Sequence, residues 1–131
     1  MDAAEALAEL TELSSQIERA VVLRADGSVL ASVPEDDASA QALATASLEL
    51  LAAAFEFRSA PQEVSRVEIE LAEGALFVLH EDGRTIAATS GPEPTSGLVV
   101  YDLRTCLHRI SEPEKPKSRR GTKAASAEEP A

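Results

Sequence analysis

The stretch ASAQALATASLELLAAAFEFR, residues 38–58, decides the fold. It contains no Gly or Pro, and nearly every residue in it favours a helix. Glu35, Asp36 and Asp37 stand just before it, where negative charge suits a helix N-terminus, and Asp37 or Ser39 is the expected N-cap. On a helical wheel at about 100° per residue, Leu43, Leu50 and Phe57 fall on one apolar line. Ala44, Leu48, Leu51 and Phe55 form a second strip, with the small residues Ala40, Ser47 and Ala54 between the two. One narrow polar ridge remains, made of Gln41, Thr45, Glu49 and Glu56. A surface helix needs a single apolar stripe. Two strips predict two packing partners: a sheet of the same chain, and a helix from a second copy that the small residues allow to approach closely.

Outward from this helix the chain alternates between strand and turn signals. Upstream, DAAEALAELTELS at 2–14 predicts a first helix, with Ala3, Ala6, Leu7, Leu10 and Leu13 on one face and Glu5, Glu9 and Glu12 on the other. IERAVVLR (17–24) and VLASV (29–33) flank Asp26-Gly27, a strong hairpin signal, and Pro34 ends the second strand. The unbroken apolar run Ala20 to Leu23 predicts a strand covered on both faces.

Downstream, VSRVEIEL at 64–71 alternates cleanly, with Val67, Ile69 and Leu71 opposed to Arg66, Glu68 and Glu70. One wet face suits a sheet edge or an interface. ALFVLH (75–80) is another covered strand, Asp82-Gly83 turns it into RTIAATS (84–90), and LVVYDLRTCLHRI (98–110) reads as a last helix. The two hairpin regions echo one another when Gly27 is set on Gly83. The predicted order is αββαβββα, and a five-stranded antiparallel sheet with helices on both faces would make a three-layer α/β sandwich.

Composition narrows the function. The 131 residues suit one domain, expected over 1–110, and the 3% aromatic content makes a thin core of Ala, Leu, Val and Ile with Phe55, Phe57 and Phe77 as its large pieces. The formal net charge is −11; residues 1–110 hold 19 acids and 7 bases, giving −12, and 111–131 hold 4 and 5, giving +1. An acidic body argues against nucleic acid and against anionic lipid. No signal sequence is read in the acidic opening, and no apolar run is read as long enough to span a membrane, so membrane insertion is not expected and a cytoplasmic location is. From Ser111 onward the composition predicts a disordered tail with a basic cluster at Lys115, Lys117, Arg119, Arg120 and Lys123.

Catalytic signals are absent from the sequence. There is no GxxxxGK[ST] or GxGxxG loop, so no cofactor or nucleotide is expected. The single Cys106 excludes a disulfide framework and sits in an apolar helical pattern that suits inert core. His80 and His108 have no neighbours at metal-ligand spacing, and no serine sits in a nucleophile elbow. Arg58 has the place of a helix C-terminal cation rather than of a catalytic arginine. The chain is expected not to be an enzyme.

AVVLRADGSVLAS, the Ala/Leu-rich helix 38–58, ALFVLHEDGRTIAATSG and GLVVYDLRTCLHRI, in that order and spacing, resemble the roadblock/dynein light chain superfamily, the group that includes bacterial polarity and gliding-motility regulators. The resemblance covers roughly residues 1–110. It implies a homodimer in which the long helix lies beside its twin and the third strands pair into one continuous sheet. Leu43, Leu50, Phe57, Val67 and Ile69 would then line the seam. It also implies a task, binding or regulating a small Ras-like GTPase as activator or scaffold, with Gln41, Thr45, Glu49 and Glu56 as the matching surface. A dimeric adaptor without a GTPase and a small-ligand sensor domain are the alternatives.

Overall fold

A computed structural model describes residues 1–57 and 65–111; Arg58 and the tail with its basic cluster lie outside the described residues. The elements are α1 (Ala3–Leu13), β1 (Ile17–Leu23), β2 (Val29–Val33), α2 (Asp37–Phe55), β3 (Arg66–Leu71), β4 (Gly74–Glu81), β5 (Arg84–Ser90) and α3 (Ser96–Arg109). The sheet runs β2-β1-β5-β4-β3, and every neighbouring pair is antiparallel. α1 and α3 cover one face and α2 the other, so the expected order and the three layers are both present.

The period of two in the strands sorts the core. Ala20, Val22, Phe77, Leu79, Ile86 and Ala88 meet α1 and α3, whereas Val21, Leu23, Val78 and Ala87 meet α2. β1, β4 and β5 are each paired on both sides, which matches their nearly continuous apolar runs. Among the described residues β3 pairs only with β4, with Val67 opposite Val78 and Ile69 opposite Leu76, and its face of Arg66, Glu68 and Glu70 is exposed.

The helix ends follow from local chemistry. Asp2 closes a capping box with Glu5 on α1, accepting from the Glu5 N–H at 2.8 Å. The N-cap of α2 is Asp36, not Asp37 or Ser39: its carboxylate accepts from the Ser39 N–H at 3.5 Å and from the Ser39 hydroxyl at 3.0 Å. α1 and α3 are tied where their ends meet. The Met1 ammonium donates to Ser111 Oγ at 2.8 Å, the Ser111 N–H donates to the Met1 carbonyl at 2.9 Å, and Arg109 pairs with Glu9.

The two hairpins differ despite their shared Asp-Gly. Asp82 and Gly83 both take positive φ, 54° and 76°, as a two-residue type I′ turn requires. In the first hairpin only Gly27 does, at 91°, after a turn closed by the Gly27 N–H on the Arg24 carbonyl, and Asp26 accepts from Ser28. That is a type I turn followed by a left-handed glycine, so the internal echo is one of composition rather than of backbone.

Three expectations are corrected. Only Phe77 of the three phenylalanines is buried; Phe55 is 36% and Phe57 87% exposed. Leu13 is exposed rather than part of the α1 stripe, because the helix ends at that residue. Finally, α2 is long and apolar enough, by length and composition alone, to cross a membrane. It reaches that measure through alanine, with Asp37 and Glu49 as its only charges.

Candidate interaction surface

The site is built from what α2 leaves uncovered. Ala40, Ala44, Ser47 and Leu51 are the residues it buries on the sheet. The small side chains Ala40 and Ser47, expected to admit a second helix, are therefore spent on close approach to the chain's own sheet. Ser47 is wholly buried and satisfies its hydroxyl within the helix, donating to the Leu43 carbonyl at 2.8 Å.

Both flanks of this buried line remain apolar. On one flank Leu48 and Phe55 are exposed, and Leu48 lies against the first hairpin, 3.0 Å from where a Cβ on Gly27 would stand. On the other flank Leu43 and Leu50 are half-buried, and Phe57 lies exposed just past the helix end. Leu43 packs into the cluster that also takes in Val67 of β3, and because Leu48 and Gln41 stand toward the first hairpin and β2, this opposite flank lies on the β3 side. Ala42, Ala46 and Ala53 are exposed and continue it around the helix. These alanines, which the wheel reading left out, are the small residues available to a second helix.

The remaining candidates are divided between β3 and the exposed side of α2. Val67 and Ile69 are half-buried on the α2 side of β3, and Leu71 beside them is 64% exposed. Gln41, Thr45, Glu49 and Glu56 are all exposed; the first three lie on the outward ridge of α2, and Glu56 is its C-cap. An apolar flank and the edge strand thus meet on the β3 side of α2, while the polar ridge starts at Gln41 beside β2 and runs along the exposed side of the helix.

The titratable groups elsewhere hold the fold together. Burial pushes the Cys106 thiol up to about 12, with Glu9 adding to the rise, so the thiolate that would react is suppressed. His80 Nδ1 lies 2.9 Å from Thr85 Oγ1. Glu81 accepts from Arg104 Nε and meets His108 Nε2, each at 2.7 Å, and these two partners hold its carboxyl below the usual range. This clasp between β4 and α3 joins residues far apart in the chain, and no local pattern announces it. An open cleft of 320 Å³ lies beside it, walled by Glu81, Arg84 and His108 together with Leu107 and Ile110. Among the described residues no group of three potential ligands could hold a metal.

No family model matches the sequence. No curated protein matches it either. The fold does have relatives among solved structures. A Roadblock/LC7 domain from Streptomyces avermitilis is 24% identical over 82% of this chain and 93% of its own, with a TM-score of 0.71. Myxococcus xanthus MglB is 14% identical over 81% of this chain and 82% of its own, at 0.68. The gliding protein MglB of Thermus thermophilus is 18% identical over 79% and 82%, at 0.58. The chain has the Roadblock/LC7 fold.

Proposed function

From the Roadblock/LC7 fold as premise, we propose that this chain is a homodimeric, non-enzymatic regulatory or scaffold module that binds a small Ras-like GTPase in the cytoplasm. The single observation that carries the proposal is the incompletely covered apolar flank of α2, with Leu43 and Leu50 half-buried and Phe57 exposed, beside the edge strand β3. In water such a flank and such an edge both favour association. One contact satisfies both: α2 lies along its twin while β3 pairs with its twin, burying Val67 and Ile69. The acidic ridge Gln41, Thr45, Glu49 and Glu56 then faces outward on the helix pair.

GTPase binding is supported by the resemblance read in the sequence and by the structural likeness to MglB, which in one case is a gliding protein. The body's charge of −12, from 19 acids and 7 bases over residues 1–110, favours a partner with a basic docking face. The alternatives are a dimeric adaptor that binds no GTPase and a small-ligand sensor.

The test has two arms. Sedimentation equilibrium should return twice the chain mass. Purified small Ras-like GTPases from the same genome, loaded with GDP or a GTP analogue, should include one that binds in a nucleotide-dependent way, with single-turnover hydrolysis measured alongside. Glu49→Lys with Glu56→Lys should weaken that binding and leave the dimer intact. A dimer that binds no GTPase in either nucleotide state would leave the adaptor reading, and a monomer would overturn both.

A further inference from the structure

The sheet has two edges, and only one of them is charged. β3 carries Arg66, Glu68 and Glu70, whereas β2 reads Val-Leu-Ala-Ser-Val and pairs, among the described residues, only with β1. Edge strands without charge invite unwanted pairing and are commonly covered by another part of the chain. An open groove of 590 Å³ runs beside β2, bounded by Ala4 of α1 and by Glu35, Asp37 and Gln41 around the start of α2. All the charge in its lining is negative, from Glu35 and Asp37.

The chain leaves the described fold close to this groove. Ser111 is bonded to Met1 in both directions, and Ala4 lies three residues from Met1 on the flank of α1 that meets β2. Lys115 follows Ser111 by four residues, a reach of about 13 Å when extended. Between Lys115 and Lys123 stand five cations and no acid.

We propose that the segment 115–123 docks in cis in the groove along β2, its cations against Glu35 and Asp37, and covers the uncharged edge. Individual surface ion pairs are weak. A tether this short gives an effective concentration of about millimolar, so weak pairs suffice. Occupancy is reversible and falls as salt screens the pairs. A basic partner segment entering the same groove would compete with the tail. The dimer proposed above would use the opposite edge of the sheet, so the two proposals stand or fall separately; Gln41 is the one residue that the groove shares with the proposed partner surface.

Amide hydrogen exchange on the full chain tests it. Changing Lys115, Lys117, Arg119, Arg120 and Lys123 to Glu should make the amides of residues 29–33 exchange about tenfold faster, as expected for a tethered contact of several weak pairs. Glu35→Lys with Asp37→Lys should do the same, and combining both sets should restore protection. Should the double lysine variant misfold, Glu35→Gln with Asp37→Asn replaces it, since Asp36 still caps α2. Unchanged exchange at 29–33 in the tail variant would overturn the proposal. So would protection that disappears on dilution, because the segment would then be reaching another copy.

Discussion

Phe57→Ala separates the dimer from the fold. Phe57 is 87% exposed in the single chain, so its ring contributes almost nothing to the core, and its loss should move the stability of an isolated subunit by no more than about 0.5 kcal/mol. In the proposed seam the ring is buried, which stabilises by about 1.5–3 kcal/mol per copy. A two-fold interface contains each substitution twice, so the dimer loses about 3–6 kcal/mol and its Kd rises by about two to four orders of magnitude. Sedimentation equilibrium across a range of concentrations reads this directly. The parent chain should also unfold at a temperature that rises with protein concentration, and the variant should lose that dependence. Phe77→Ala is the contrast: that ring is fully buried, and its removal should cost about 3–5 kcal/mol at any concentration. If Phe57→Ala kept the parent's mass at every concentration, the assignment of this flank to the seam would be refuted.

Three further outcomes follow from particular contacts. Glu81 has a lowered folded pKa through Arg104 and His108, so its contribution is present above the unfolded value and fades as pH falls through the folded one. Glu81→Gln should therefore be less stable than the parent at pH 7, by up to about 1 kcal/mol for a clasp this exposed, and in an acid titration followed by circular dichroism the difference should start to shrink near the ordinary glutamate value of about 4.3 and vanish only below the lowered folded value. Gly74→Ala and Gly83→Ala should both destabilise, for different reasons. A Cβ at Gly74 would stand 2.4 Å from the Ser90 carbonyl oxygen, at a cost of about 1–3 kcal/mol that larger residues increase. At Gly83 nothing lies within 4 Å and the cost is the positive φ alone, about 1–2 kcal/mol, which Asn should largely relieve in urea melts. Asp36→Ala should lower the melting temperature measurably and Asp37→Ala much less, since Asp36 holds the cap.

What was legible in the sequence was whatever a period of two or a turn residue can encode. The covered run at Ala20–Leu23 and the alternation at 66–71 placed β1 inside the sheet and β3 at its edge, because side chains alternate faces whatever the rest of the chain does. Helix α2 was harder for a physical reason. Its apolar residues extend almost around the wheel, so the sequence cannot say which line meets the sheet. The answer, Ala40, Ala44, Ser47 and Leu51, is a line with three small residues and one leucine, which lets the helix sit close to a sheet faced with Val21, Val78 and Ala87. Size alone assigns Phe55 and Phe57 to the core, yet a close-packed helix–sheet contact leaves both exposed. The clasp of Glu81 with Arg104 and His108 left no local trace, since it depends on where α3 lands on β4.

The same placement explains why this chain has two kinds of surface. A helix that sets Ala40, Ala44 and Ser47 against the sheet turns most of its larger apolar side chains sideways, and the sheet beneath it ends on both sides. Toward β3 the sideways residues are Leu43 and Leu50, and the strand there has one apolar face and one charged face, so a twin can pair with it while water covers the rest. Toward β2 the flank carries Leu48, already resting against the first hairpin, and acids stand at the helix start, which repels a second acidic body. A strongly acidic chain can therefore meet itself at β3, where the apolar area is large and the charge is mixed. It cannot readily do so at β2, where a cationic segment is the better fit.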